Sequence, residues 1–309
     1  MSDLQAIEAQ AFAHVTAAIA TPFRPGDLSV DFELLVRHAH WLLANGCDGL
    51  VLFGTTGEAA SLSLAERTAI LRRLLRSGIE PRRLLVGTSA CAVADVAELT
   101  RCCAELGCAG ALIMPPFFYK GVSVGGALSF YAEVFAACGE ALPPVYLYHI
   151  PQTSGVAVAP ELVGRLLERF GAKIRGYKDS SGQWANTAEI RARYPQLETF
   201  VGSEALLLSN LQAGGAGCIS ASVNVQPAAT RKLYDNWRSA QAAALQEALS
   251  AVREALESAG PILTSTKAVV AAVHREPAWA IPRAPLEALA PDQRAALESQ
   301  LRKLRLAGL

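Results

Sequence analysis

Methionine is almost absent from this 309-residue chain, with two in all, and aromatic residues make up only 7% of it. Neither sign of charge is in excess, since 28 lysines and arginines meet 28 aspartates and glutamates. That balance leaves no basic field for nucleic acid and none for an acidic membrane surface. No apolar run approaches the roughly 18 residues that a membrane span needs. The first residues, MSDLQAIEAQAFAH, lack the basic stretch followed by an apolar one that marks a secretory signal. The expectation is a soluble cytoplasmic protein with neither nucleic acid nor membrane among its partners.

Metal-ligand spacings are missing too. The seven cysteines, at 47, 91, 102, 103, 108, 138 and 218, include no C-x-x-C pair. An odd count in apolar surroundings points to buried reduced thiols and not to a disulfide framework. The five histidines, at 14, 38, 40, 149 and 274, form no H-x-x-x-H or H-E-x-x-H pattern, so no metal is expected.

What the chain has is apolar residues, 51% of the total, set out in a regular alternation. Eight short runs read as strands: 15–20, 49–54, 83–88, 111–116, 145–150, 173–178, 198–202 and 217–221. Longer segments with i, i+3, i+4 apolar spacing lie between them, at 31–46, 63–78, 95–107 and 159–171. These helices stop at glycine, and Ser or Asp often precedes them. Continuous apolar runs, without the alternation of half-wet strands, mark parallel strands buried on both faces. Eight β–α repeats in about 220 residues predict an α/β fold, a (β/α)8 TIM barrel over residues 12–230, ahead of a doubly wound sheet. Beyond it the strand signal ends. Residues 231–309 read as a C-terminal helical region, broken at Pro261, Pro277, Pro282, Pro285 and Pro291.

In such a barrel the chemistry sits at the C-terminal ends of the strands. Strand two ends in FGTTGE, where Gly54 lets the backbone approach a ligand and Thr55 and Thr56 offer hydroxyls and N–H groups to an anion. The same residues also make an ordinary β–α turn. Strand five ends in Tyr148, His149 and Pro151, and strand six ends in Lys178 of GYKDSSG. A lysine near its ordinary pKa of about 10 is a poor nucleophile, and burial lowers that value by disfavouring the charged form. A desolvated amine could attack a ketone and form an imine, which acidifies the adjacent carbon. By position alone, a lysine paired with an acid at the barrel rim explains Lys178 equally well.

GTTGE after strand two, YHIPQTSG after strand five and GYKDSSG at strand six stand in one order and spacing. Together they resemble the dihydrodipicolinate synthase/N-acetylneuraminate lyase family of class I aldolases, over essentially residues 12 to 300. The resemblance implies that Lys178 forms an imine with pyruvate and that Tyr148 is the general acid/base. It implies that Thr55 relays protons to Tyr148 and that Thr56, with nearby backbone N–H groups, holds the carboxylate. Ile219 matches the position whose carbonyl lines the pyruvate pocket. No cofactor beyond the covalent Lys178 imine is implied. The partners are a 2-keto acid and an aldehyde, and the assembly is a homotetramer or homodimer.

Departures from the synthase branch bear on substrate. That branch carries a tyrosine pair after strand four, the second of which crosses the dimer interface. Here PPFFYKG puts Phe117 and Phe118 in those places, and Tyr119 follows one residue late as a possible relay. The branch also has an arginine two residues after the proline of YxxP, where this chain has Thr153, which offers no bidentate carboxylate clamp. The helix after GTTGE, with Leu64 and Arg67, lacks the histidines of lysine-regulated synthases. The sialic-acid branch is matched only in part, with Ser203, Glu204 and Ala221 at its diagnostic places. Thr153, Ser154, Ser180, Ser181 and Glu204 could bind sugar-acid hydroxyls, or could serve as caps and turns. The expected activity is a Schiff-base lyase or aldolase acting beside pyruvate, on a 2-keto-3-deoxy sugar acid or short hydroxy-keto acid. A 4-hydroxy-tetrahydrodipicolinate synthase using aspartate semialdehyde is the alternative. A keto-acid-binding regulatory protein that has lost turnover is the reading from another class.

Overall fold

The computed structural model describes Phe12 and residues 14–309. Most of the N-terminal stretch examined for a signal pattern lies outside the described residues. Eight strands run in chain order: β1 Val15–Ala18, β2 Gly49–Leu52, β3 Leu84–Gly87, β4 Gly110–Ile113, β5 Val145–His149, β6 Ile174–Asp179, β7 Glu198–Val201 and β8 Gly217–Ser220. Every neighbouring pair is parallel, and β8 closes on β1. The fold is therefore a (β/α)8 TIM barrel followed by C-terminal helices.

Strand alternation sorts each run into two sets. Ala18, Val51, Leu85, Leu112, Tyr146, Tyr148, Phe200 and Ile219 fill the barrel. Their neighbours in sequence, such as Leu50, Leu52, Val86, Ile113 and Leu147, face the surrounding helices in two further clusters. Phe12 closes the lower end, edge-on to Tyr146 and Phe200 at 6.0 and 6.3 Å. Glycine makes this packing possible: a Cβ on Gly176 would lie 2.3 Å from the Tyr146 ring.

Several expected boundaries move. The run 49–54 stops being a strand at Leu52, because Phe53 takes a left-handed φ of 55° that turns the chain across the barrel rim. Strand six runs one residue past Lys178, with Asp179 paired to Val201. Helix Val124–Cys138, unassigned by periodicity, is apolar on most faces and buries Phe130, Tyr131, Val134 and Phe135. The C-terminal segment read as helical up to Pro261 contains two helices, Pro227–Asn236 and Ala242–Ala259. The first of them spans the expected boundary at residue 230. Helices Ile262–His274 and Pro291–Lys303 follow and pack with Ala242–Ala259 around Trp279. Among the described residues no helix is long and apolar enough to cross a membrane, and no three His, Cys, Asp or Glu residues cluster as metal ligands.

A buried histidine ties these helices to the barrel. His38 Nε2 lies 3.1 Å from Asn224 Oδ1, so it carries the proton and donates; Nδ1, 2.8 Å from His274 Nε2, accepts. Burial, then the neighbouring His274, pushes the pKa of His38 down to about 3. The unfolded chain binds that proton near 6.5 and the folded one does not, so stability falls as pH drops from 6.5 towards 3. The loss is as much as about 4 kcal/mol. Urea titrations at pH 7, 5 and 4 check this: His38→Gln is expected to flatten the pH slope.

Candidate active site

Lys178 points into the barrel near its C-terminal rim and is 3% exposed. It is the register partner of Tyr148 on β5, and its Nζ sits 4.2 Å from the centre of the Tyr148 ring. Among the described residues its Nζ makes no ion pair and no hydrogen bond. The adjacent acid, Asp179, faces the other side of the sheet. There its Oδ1 accepts from the Ser181 N–H and hydroxyl, at 2.9 and 2.6 Å. Its Oδ2 accepts from Asn186 and Thr187, at 2.8 and 2.7 Å. Asp179 thus holds the 180–183 loop to helix Trp184–Arg193 and does not pair with the lysine. A rim ion pair is not the explanation of Lys178.

The turn after β2 reaches across to the same point. Thr55 Oγ1 lies 3.2 Å from the Tyr148 hydroxyl. Gly54 is buried, and its carbonyl accepts from the Gly57 N–H at 3.1 Å, which tightens the turn. Thr56 is 7% exposed and, among the described residues, commits neither its N–H nor its hydroxyl. The turn therefore presents an anion-competent group beside the lysine and the phenol. Ile219 projects into the barrel from β8, fully buried.

Ser180 packs directly against Gly202 at the end of β7, where a Cβ would lie 2.1 Å from its hydroxyl oxygen. Its carbonyl accepts from Gln152 Nε2 at 2.6 Å, which ties the loops after β5 and β6 together. Thr153 stands exposed on the short helix Pro151–Ser154, with no side-chain hydrogen bond among the described residues. Ser154 and Ser181 serve as turn residues: Ser154 Oγ, fully buried, donates to the Val156 carbonyl at 2.8 Å, and Ser181 donates to Asp179.

One expectation is corrected. Glu204 does not face the mouth. It is fully buried behind β8, where its carboxylate accepts from Ser220 (2.5 Å), Ser222 and Gln226 (2.8 Å), with Arg253 at 3.8 Å. Ile219 faces inward, so Ser220 faces outward, and Glu204 meets it outside the barrel. Three of its roughly four lone-pair sites are already directed at these partners. Within one chain Tyr119 faces solvent. It is 70% exposed and edge-on to Phe118, itself 73% exposed, with ring centres 5.3 Å apart.

Sequence reasoning missed the anchoring of the threonine turn. Glu58 ends it, and Lys267 on helix Ile262–His274 meets its carboxylate at 2.5 Å, both side chains fully buried. The available signal was a lone lysine in the apolar run STKAVVAAV, since a buried cation demands a partner.

A barrel of this topology with an unpaired lysine, a phenol and an open threonine turn at one rim fits the (β/α)8 lyases that work through a lysine imine. The chain belongs to the dihydrodipicolinate synthetase family, whose profile matches residues 11–304. It is accordingly a class I, pyruvate-dependent lyase of that family, which works through a lysine Schiff base without an external cofactor. It is 34% identical to an uncharacterized DapA-like lyase of Chloroflexus aurantiacus, covering 94% of this chain and 96% of that one. Against the crystal structure of dihydrodipicolinate synthase from Agrobacterium tumefaciens the TM-score is 0.87, with 32% identity over 94% of this chain and 99% of the other. YagE of Escherichia coli K12, a prophage protein of the same family solved in complex with pyruvate, gives 0.88 at 25% identity, over 96% and 100%.

Proposed function

We propose that Lys178 is the imine-forming lysine, and that the enzyme makes or breaks a carbon–carbon bond beside pyruvate. The observation that carries this reading is the buried, unpaired Lys178 Nζ, 4.2 Å from the ring of Tyr148, whose hydroxyl meets Thr55. The neutral amine adds to the C2 carbonyl of the keto acid, and the carbinolamine loses water to give the iminium. The iminium accepts the electron pair released when the C3–C4 bond breaks. That leaves an enamine and frees an aldehyde as the C4 hydroxyl gives up its proton. Protonation at C3 and hydrolysis then release pyruvate and regenerate the amine. Tyr148 moves the protons, Thr55 relays them, and Thr56 with the backbone of the Gly54 turn holds the keto-acid carboxylate. The pyruvate bound to YagE supports the choice of keto acid.

For the other half of the substrate we propose a 2-keto-3-deoxy sugar acid or a short hydroxy-keto acid. Thr153 stands where a clamp for a second carboxylate would need arginine, and Phe118 has no hydroxyl to complete a relay. The kinship with the Agrobacterium synthase favours, as a second reading, condensation of pyruvate with aspartate semialdehyde. A panel of 2-keto-3-deoxy acids, scored by pyruvate release, and of aldehydes with pyruvate, scored by pyruvate consumption, separates the two. Multiple turnover on any of them removes the reading of a binder without catalysis. Phe118→Tyr with Thr153→Arg is expected to raise synthase activity; no change would count against the substrate assignment. Thr55→Val should lower kcat by roughly 10- to 100-fold with a smaller change in KM, because it removes the one side-chain partner that the Tyr148 hydroxyl has among the described residues. Steady-state kinetics on the best panel substrate reads this split.

The exposed Phe118–Tyr119 pair supports assembly as a homodimer or homotetramer, which light scattering after size exclusion measures. Seven free cysteines, five of them buried, support a reducing, cytoplasmic compartment.

A further inference from the structure

The turn that carries Thr55 and Thr56 is bracketed by two non-glycine residues in left-handed conformation, Phe53 and Glu58, each with φ 55°. Such residues need surrounding structure to hold them. Phe53 is held by the barrel rim, where its carbonyl oxygen lies against Gly87 closely enough that a Cβ there would sit 2.4 Å away. Glu58 is held by the C-terminal region. Its Oε1 receives Lys267 Nζ at 2.5 Å, and its Oε2 accepts from the Arg283 backbone N–H at 2.9 Å. The other two N–H groups of Lys267 go to the carbonyls of Thr21 and Ile281, at 2.9 and 2.6 Å, so all three donors are spent. Thr21 closes the ring by donating its hydroxyl to the Gly57 carbonyl at 2.7 Å. One buried ammonium therefore joins the loop after β1, the turn after β2 and the C-terminal strap at 281–283.

A fully buried ion pair is a poor source of stability, since apolar residues of like volume often do as well. Burial pushes Lys267 down to about 8, with Glu58 pulling the other way. The pair gives position in return for that cost. We propose that Lys267 and Glu58 are a positioning pair, through which the C-terminal helices fix the turn after β2 and so the reach of Thr55 to Tyr148. This rests on the reading of Lys178, Tyr148 and Thr55 as the reacting centre. Neither Lys267 nor Glu58 touches the reacting atoms.

The test uses the full chain and the double variant Glu58→Gln with Lys267→Met, which removes both charges at nearly constant volume and so leaves no unpaired ion. Melting temperature reports the fold, and borohydride trapping with pyruvate reports the imine on Lys178. Exchange of the pyruvate methyl protons in D2O, followed by NMR, reports proton transfer to and from C3. The double variant is expected to melt within a few degrees of the parent and to trap pyruvate on Lys178, yet to exchange at least roughly tenfold more slowly. A well-folded double variant exchanging at the parent rate overturns the proposal. Should it fail to fold, Glu58→Asp keeps the charge but draws the turn back by one methylene. The same slowing is then expected, and the parent rate again overturns the proposal. If the parent itself forms no adduct on Lys178, the functional reading fails separately. The crystal structure of the double variant then decides: a Thr55 hydroxyl still bonded to Tyr148 overturns the positioning role, and a displaced turn supports it.

Discussion

Lys178→Met removes turnover and leaves the fold intact. The expected loss in kcat/KM is at least about 10³-fold, equivalent to roughly 4 kcal/mol of transition-state stabilisation. Methionine is the informative replacement because it keeps the length and apolar stem of the side chain while deleting the amine. Lys178 is 3% exposed, faces the Tyr148 ring and shares no ion pair among the described residues, so its removal strands no opposite charge. Most buried lysines would behave otherwise, and Lys267 in this chain is one of them, with Glu58 opposite it. The melting temperature of Lys178→Met should therefore equal or exceed that of the parent. A variant that keeps even a tenth of the parent activity would show that the amine is not the nucleophile. A variant that unfolds would show that the charge has a structural partner.

Glu204→Ala should do the reverse. Its carboxylate is the acceptor for Ser220, Ser222 and Gln226, and Arg253 lies 3.8 Å away with a side chain only 12% exposed. Deleting the acid takes the carboxylate acceptor from three buried polar groups, while Arg253 keeps its ion pair with Glu257 at 2.6 Å. At about 1–3 kcal/mol for each buried group left short of a partner, that costs on the order of 3–5 kcal/mol. A melting temperature lower by roughly 5–15 °C is the corresponding shift for a chain of this size. Below that temperature KM for the keto acid should stay within about twofold of the parent, because the network lies outside the barrel. An unchanged melting temperature with a KM raised tenfold would instead make Glu204 a substrate ligand and reverse its assignment here.

The barrel was legible because parallel strands buried on both faces leave continuous apolar runs, and the helices between them carry amphipathic stripes and glycine stops. The placement of Lys178 and Tyr148 at one rim was legible because both stand at strand ends, whereas their chemical roles rest on the family resemblance. Other features depend on contacts that no local pattern encodes. Helix Val124–Cys138 buries one stripe, from Ala127 through Phe130, Tyr131, Val134 and Phe135 to Cys138, but its exposed face carries mostly Gly and Ala, so the contrast in the sequence is weak. The break at 237–241 contains neither proline nor glycine, so the sequence reads through it. Glu204 follows a strand end as a mouth residue should, but the outward register of Ser220 draws it to the other side of the sheet. The partner of Glu58 lies 209 residues along the chain, beyond any motif.

One measurement bears most directly on the central claim. The protein is incubated with pyruvate, reduced with borohydride, digested, and the added mass is located by peptide mass spectrometry. The account predicts a single adduct on Lys178, absent from Lys178→Met. No adduct, or one on Lys120, Lys173 or Lys267, would contradict it.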